Sequence, residues 1–155
     1  VFIFAQYVEI SHGASSDSGS SENYLDQYKQ AKKLVERAKK LEEKDKNDRA
    51  TKLYVKALDK LQEAYKSDRN NPDILNYLGF TLRKTGKLKE AEKFYLAGLK
   101  IKPNHNGINE YLGELYVQTD RIDKAKERLE VLKNCNCDEY KELELIIKTR
   151  GVKIY

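Results

Sequence analysis

A period of 34 residues constrains this chain more than any other feature. Leu78-Gly79 returns as Leu112-Gly113 (113 − 79 = 34), and Tyr77, Thr85 and Ala91 return as Tyr111, Thr119 and Ala125. The same step carries Ala91 back to Ala57 and links Tyr54 to Leu88 and Ile122, and Leu61 to Tyr95 and Leu129. Three copies of one unit stand in tandem. A unit of that length cannot bury an apolar face alone, so neighbouring copies must stack.

Each unit reads as two helices. In the middle copy Leu75, Leu78, Gly79 and Leu82 lie on one helical face, Thr85-Gly86 breaks the pattern, and Leu88, Ala91, Tyr95 and Leu99 mark a second face. Pro103 cannot continue that helix. Gly79 gives up about 1 kcal/mol of helix propensity against alanine, which implies a place where two helices approach closely. The first copy matches well only in its second helix. If Leu34, Ala38 and Leu41 fill the slots of its first helix, seven more residues separate Ala38 from Ala57 than separate Gly79 from Ala91. Seven residues are about two helical turns, so both helices are expected to lengthen by a turn and to reverse near Lys44–Asp48. Beyond the third copy, Asp138 is the expected N-cap of a last helix through Tyr140, Leu143, Leu145, Ile146 and Ile147. Arg150-Gly151 is its expected end, and the helix would cover the open face of the array.

The run Leu75 to Pro103 resembles the tetratricopeptide repeat, with leucine in the usual tryptophan slot. The next unit departs from the pattern at Asn109, in the tryptophan slot, and at Leu132, where a small residue is usual. The stretches Asn76-Tyr-Leu-Gly-Phe80, Asn109-Glu-Tyr-Leu-Gly-Glu-Leu-Tyr116 and Cys137-Asp-Glu-Tyr140 also resemble exported bacterial, especially alphaproteobacterial, proteins of this type. The resemblance implies an all-α fold: a right-handed superhelical stack of about three helix-turn-helix hairpins with a C-terminal capping helix. The expected units are 24–71, 72–105 and 106–137, the cap is 138–150, and 151–155 is a tail. It also implies a concave groove for a protein or peptide partner. Carried over position by position, the groove residues are Asp73, Asn76, Phe80, Arg83 and Lys84, then Glu110, Glu114, Val117 and Gln118. Phe80 is either an exposed apolar anchor or a packing residue against the neighbouring helix. The positions that hold a lysine and asparagine clamp for a terminal carboxylate in some relatives are Tyr77, Gly107 and Tyr111 here, so no such clamp is expected.

Chemistry is thinly represented. Of two histidines, His12 lies in the apolar leader region and His105 follows Pro103 in a turn, where it reads as solvent-exposed. No glycine-rich phosphate loop is present, so no cofactor and no enzymatic activity are expected. Thirty basic residues stand against 25 acidic ones, interleaved as solvated helix faces, so nucleic acid is not the expected partner. No apolar run is long enough to span a bilayer. Cys135-Asn-Cys137 leaves three readings open: a buried thiol with a linker thiol, a disulfide, or a weak soft-metal pair. Residues 1–22, an apolar run followed by small residues and a serine-rich spacer, read either as the end of a secretory signal, with export to the bacterial periplasm the expectation, or as an ordinary apolar N-terminus. The expected function is a non-catalytic adaptor. The alternatives are a self-associating, homo-oligomeric scaffold and a redox or metal role at Cys135 and Cys137.

Overall fold

The computed structural model describes residues 18–150, and the signal-peptide reading of residues 1–14 lies outside them. Among the described residues there are seven helices and no strand: α1 (Ser18–Glu42), α2 (Asn47–Ser67), α3 (Pro72–Lys84), α4 (Leu88–Ile101), α5 (Asn106–Gln118), α6 (Ile122–Leu132) and α7 (Asp138–Lys148). They pair as α1 with α2, α3 with α4 and α5 with α6. Contacts of α2 with α3 and of α4 with α5 stack the pairs, and α7 closes the end against α5 and α6. α1 begins at Ser18, inside the stretch expected as a spacer.

The hairpin turns share one backbone device. Gly86 (φ 83) and Asp120 (φ 57) hold the left-handed position 34 residues apart, and Asp45 (φ 54) holds it in the first hairpin. Glycine adopts that conformation freely, and aspartate is among the few other residues that tolerate it. Both helices of the first hairpin are longer than their counterparts, α1 with 25 residues against 13 in α3 and α2 with 21 against 14 in α4, and the chain reverses between Glu42 and Asn47.

Small residues mark the close approaches. A Cβ on Gly79 would overlap the Tyr95 ring, which explains a glycine in mid-helix. At the equivalent position of the next unit a Cβ on Gly113 would overlap Leu143, so α7 packs directly onto α5 there. Tyr54, Leu61, Leu78, Tyr95, Leu112, Leu132 and Leu143 are fully buried along the stack.

Helix starts explain three sequence departures. Asn71 caps α3, accepting hydrogen bonds from the backbone N–H of Asp73 and Ile74, and Pro72 takes the first turn. His105 caps α5 through Nδ1, which accepts from the Ile108 N–H, while Nε2 lies 3.0 Å from Asp73 Oδ1. His105 is therefore buried, not the exposed turn residue expected, because capping and the Asp73 contact satisfy both ring nitrogens. Asn109, in the tryptophan slot, donates to the Pro103 and His105 carbonyls and accepts from Arg128, fastening the turn instead of filling a pocket. Asp138 is the first residue of α7 and not its N-cap, which is Cys137; the Asp138 carboxylate pairs with Lys141. α7 ends with Thr149 as C-cap, and Gly151 lies outside the described residues. Cys135 and Cys137 are joined by a disulfide across the α6–α7 turn, one of the three arrangements the sequence leaves open.

Candidate functional site: a groove lined by the odd-numbered helices

The first helix of every hairpin, together with α7, faces one groove. A cavity of about 230 Å3 lies between Lys39, Glu42 and Glu43 of α1, Phe80, Arg83 and Lys84 of α3, Tyr111 and Glu114 of α5, and Glu142 of α7. It shares Glu42, Arg83, Lys84 and Glu114 with a wider opening of about 500 Å3 that Val117, Gln118, Ile146 and Arg150 complete.

The floor is aromatic. Phe80 lies between Tyr54 (ring centroids 5.7 Å apart) and Tyr111 (4.8 Å), each ring drawn from a different hairpin. Only 3% of Phe80 is exposed, so of its two expected roles the structure shows packing against neighbouring helices, with one side left to line the cavity. Across this floor Lys39 reaches from α1 to donate a hydrogen bond to the Tyr111 hydroxyl at 2.9 Å. Its ammonium stands 4.8 Å from the Phe80 ring centre and 5.3 Å from that of Tyr111.

Charges form the walls in fixed pairs. Arg83 meets Glu114 at 2.5 Å with about a tenth of each side chain exposed. Burial opposes the Arg83 charge, but Glu114 and Tyr95 outweigh it and raise the guanidinium pKa further. Lys84 holds Glu42 at 2.7 Å, and the same carboxylate accepts from the Tyr54 hydroxyl. Burial lowers the Lys84 pKa, with Glu42 offsetting part of that effect.

Behind this wall the carboxyl oxygens of Glu110, Glu114 and Glu142 converge within 4.8 Å of one another. Burial first, then Glu114 and a hydrogen bond with Glu142, push the Glu110 carboxyl up to about 9. Glu114 is committed to Arg83.

The residues expected at the groove divide accordingly. Phe80, Arg83, Lys84, Glu114, Val117 and Gln118 line the two cavities. Asp73 is exposed at the start of α3 and engaged with His105, and Asn76 is buried with its amide over Gly107. Glu110 lies behind the wall. Sequence reasoning did not anticipate Lys39, Glu42 and Glu43 of α1, Tyr111 as floor, or Glu142, Ile146 and Arg150 of α7. Tyr111 stood at a clamp position of the family groove, which gave its place but not its role as floor, and α7 read only as a cap.

A stack of helical hairpins with a groove along its first helices is the architecture of a helical repeat solenoid. Residues 48–108, which span α2 to the start of α5, match the tetratricopeptide repeat family. No curated protein matches the chain in sequence. Among solved structures, pilF of Pseudomonas aeruginosa is 20% identical over 88% of this chain and 80% of that one, with a TM-score of 0.52. The Yersinia enterocolitica type III secretion chaperone SycD, solved in complex with a peptide of the translocator YopD, is 18% identical over 77% of this chain and 88% of that one, with a TM-score of 0.49. At such identities the likeness to pilF is one of fold.

Proposed function

We propose that this chain is a non-catalytic adaptor that holds a peptide or an extended segment of a protein in the groove of its odd-numbered helices. One observation carries the reading: an aromatic floor of Phe80 and Tyr111, drawn from two hairpins, lies between walls of charge that are already paired within the protein. Aromatic groups that exclude water beside satisfied polar ones are the composition of a binding centre. The groove holds no histidine, cysteine or serine among its lining residues, and His105 is occupied in capping α5. The open end on which a self-associating scaffold would rest is covered by α7.

Export to the bacterial periplasm is part of the same proposal. The apolar run of residues 1–10 with small residues after it supports it, and so does a disulfide, which persists in an oxidising compartment. No helix among the described residues is long and apolar enough to cross a membrane.

Selection from a 12-residue peptide library on the full 155-residue chain tests the groove. Recovered peptides should lose binding when Glu43→Trp and Gln118→Trp fill the mouth, both positions being exposed. They should retain it in Lys93→Glu, on the outer face between α2 and α4. Peptides indifferent to the groove substitutions would overturn the reading.

A further inference from the structure

The position of Lys39 says which chemistry the groove takes. Its ammonium is exposed, rests on the faces of Phe80 and Tyr111, and has no carboxylate at ion-pair distance among the described residues. An exposed cation over aromatic faces is worth only about 0.5–1 kcal/mol, so the side chain leaves this place at small cost. Around it the cavity carries four carboxylates, Glu42, Glu43, Glu114 and Glu142, against three cations. Glu42 and Glu114 are matched by Lys84 and Arg83. When Lys39 swings out, an aromatic notch remains beside Glu43 and Glu142 with no cation to balance them.

We infer that the notch on Phe80 and Tyr111 accepts a lysine or arginine side chain of the bound peptide, which displaces Lys39. The inference rests on the groove reading above and adds the partner's chemistry to it. An incoming ammonium or guanidinium meets the two ring faces that already hold a cation, in a cavity whose lining also carries the carboxylates of Glu43 and Glu142. An acidic side chain in the same place would enter a cavity lined by Glu43 and Glu142 and is rejected by like charge. Elsewhere along α1 the chain uses the same pairing: Lys32 lies over Tyr28 at 5.7 Å and over Tyr77 at 5.8 Å.

The test uses the full chain, 15N-labelled, titrated with Nα-acetyl-lysine methylamide and, at equal ionic strength, with Nα-acetyl-glutamate methylamide. The lysine probe should shift the amide signals of Lys39, Phe80, Tyr111 and Glu142, and the glutamate probe should leave them in place. Lys39→Ala removes the resident ammonium without touching the core and should tighten the lysine probe about two- to fivefold, the fold-change equivalent of one exposed cation–aromatic contact. Equal shifts from both probes, or weaker binding in Lys39→Ala, would overturn the inference. The library of the previous section separates the two readings. Groove-bound peptides free of lysine and arginine would sink the cation notch and leave the groove standing, whereas a library with no groove binder would remove the groove reading itself.

Discussion

Arg83 on α3 and Glu114 on α5, 31 residues apart in sequence, meet at 2.5 Å with about a tenth of each side chain exposed. Neither charge has another place to go. Removing one partner leaves the other buried, a change that costs about 3–5 kcal/mol, whereas replacing both with apolar residues of similar size is far milder. Glu114→Ala should therefore lower the urea unfolding midpoint sharply, and Arg83→Leu/Glu114→Leu should recover much of the loss. Equal losses for the single and double variants would show that the pair contributes through packing alone.

Gly79 and Gly113 predict an inversion of helix propensity. Alanine favours a helix interior by about 1 kcal/mol over glycine, yet a Cβ here overlaps Tyr95 or Leu143. Gly79→Ala and Gly113→Ala should each destabilise, by about 1–3 kcal/mol, as overpacking does. Gly113→Ala should also loosen α7, visible as faster amide exchange at Leu143 and Ile146 while α3 and α4 keep their protection.

Glu110 makes stability depend on pH. Its folded pKa is raised to about 9 by burial and by the neighbouring carboxyls Glu114 and Glu142, above the ordinary glutamate value of 4.5. Between those values the folded state holds a proton that the unfolded state has released. The contribution of Glu110 is therefore fully present below about pH 4.5, falls as pH rises, and is spent above about 9. Glu110→Gln keeps the hydrogen-bonding shape without the charge, so its stability relative to wild type should climb from pH 5 to pH 8 by more than about 1 kcal/mol. A pH-independent difference in denaturant midpoints would refute the assignment.

His105 caps α5 through Nδ1, and asparagine can make the same hydrogen bond from a shorter side chain. His105→Ala should cost about 1 kcal/mol in chemical unfolding, and His105→Asn should cost clearly less. If both substitutions cost the same, the contact with Asp73 outweighs the cap.

How much of this was written in the sequence differs from residue to residue. Repeat spacing placed Gly79 at a helix crossing and Ala91 opposite it, because both follow from local periodicity and both are fully buried in the stack. Spacing could not reveal Lys39 on Tyr111: the two are 72 residues apart and meet only because the hairpins stack into a curve. His105 looked like a turn residue because Asp73, 32 residues earlier, shares no local pattern with it. Phe80 stood between two readings because its burial depends on Tyr54 and Tyr111, each from another hairpin. The extra length of the first hairpin was legible from the spacing of Ala38 and Ala57, and both α1 and α2 are longer than their counterparts α3 and α4.

The most direct measurement of the central claim is an amide chemical-shift map of the 15N-labelled chain with a library-selected 12-residue peptide at saturation. The largest changes are expected at Lys39, Phe80, Tyr111, Val117 and Glu142, spread over α1, α3, α5 and α7. Changes centred instead on Tyr65, Phe94 and Ala97, on the outer face of α2 and α4, would contradict it.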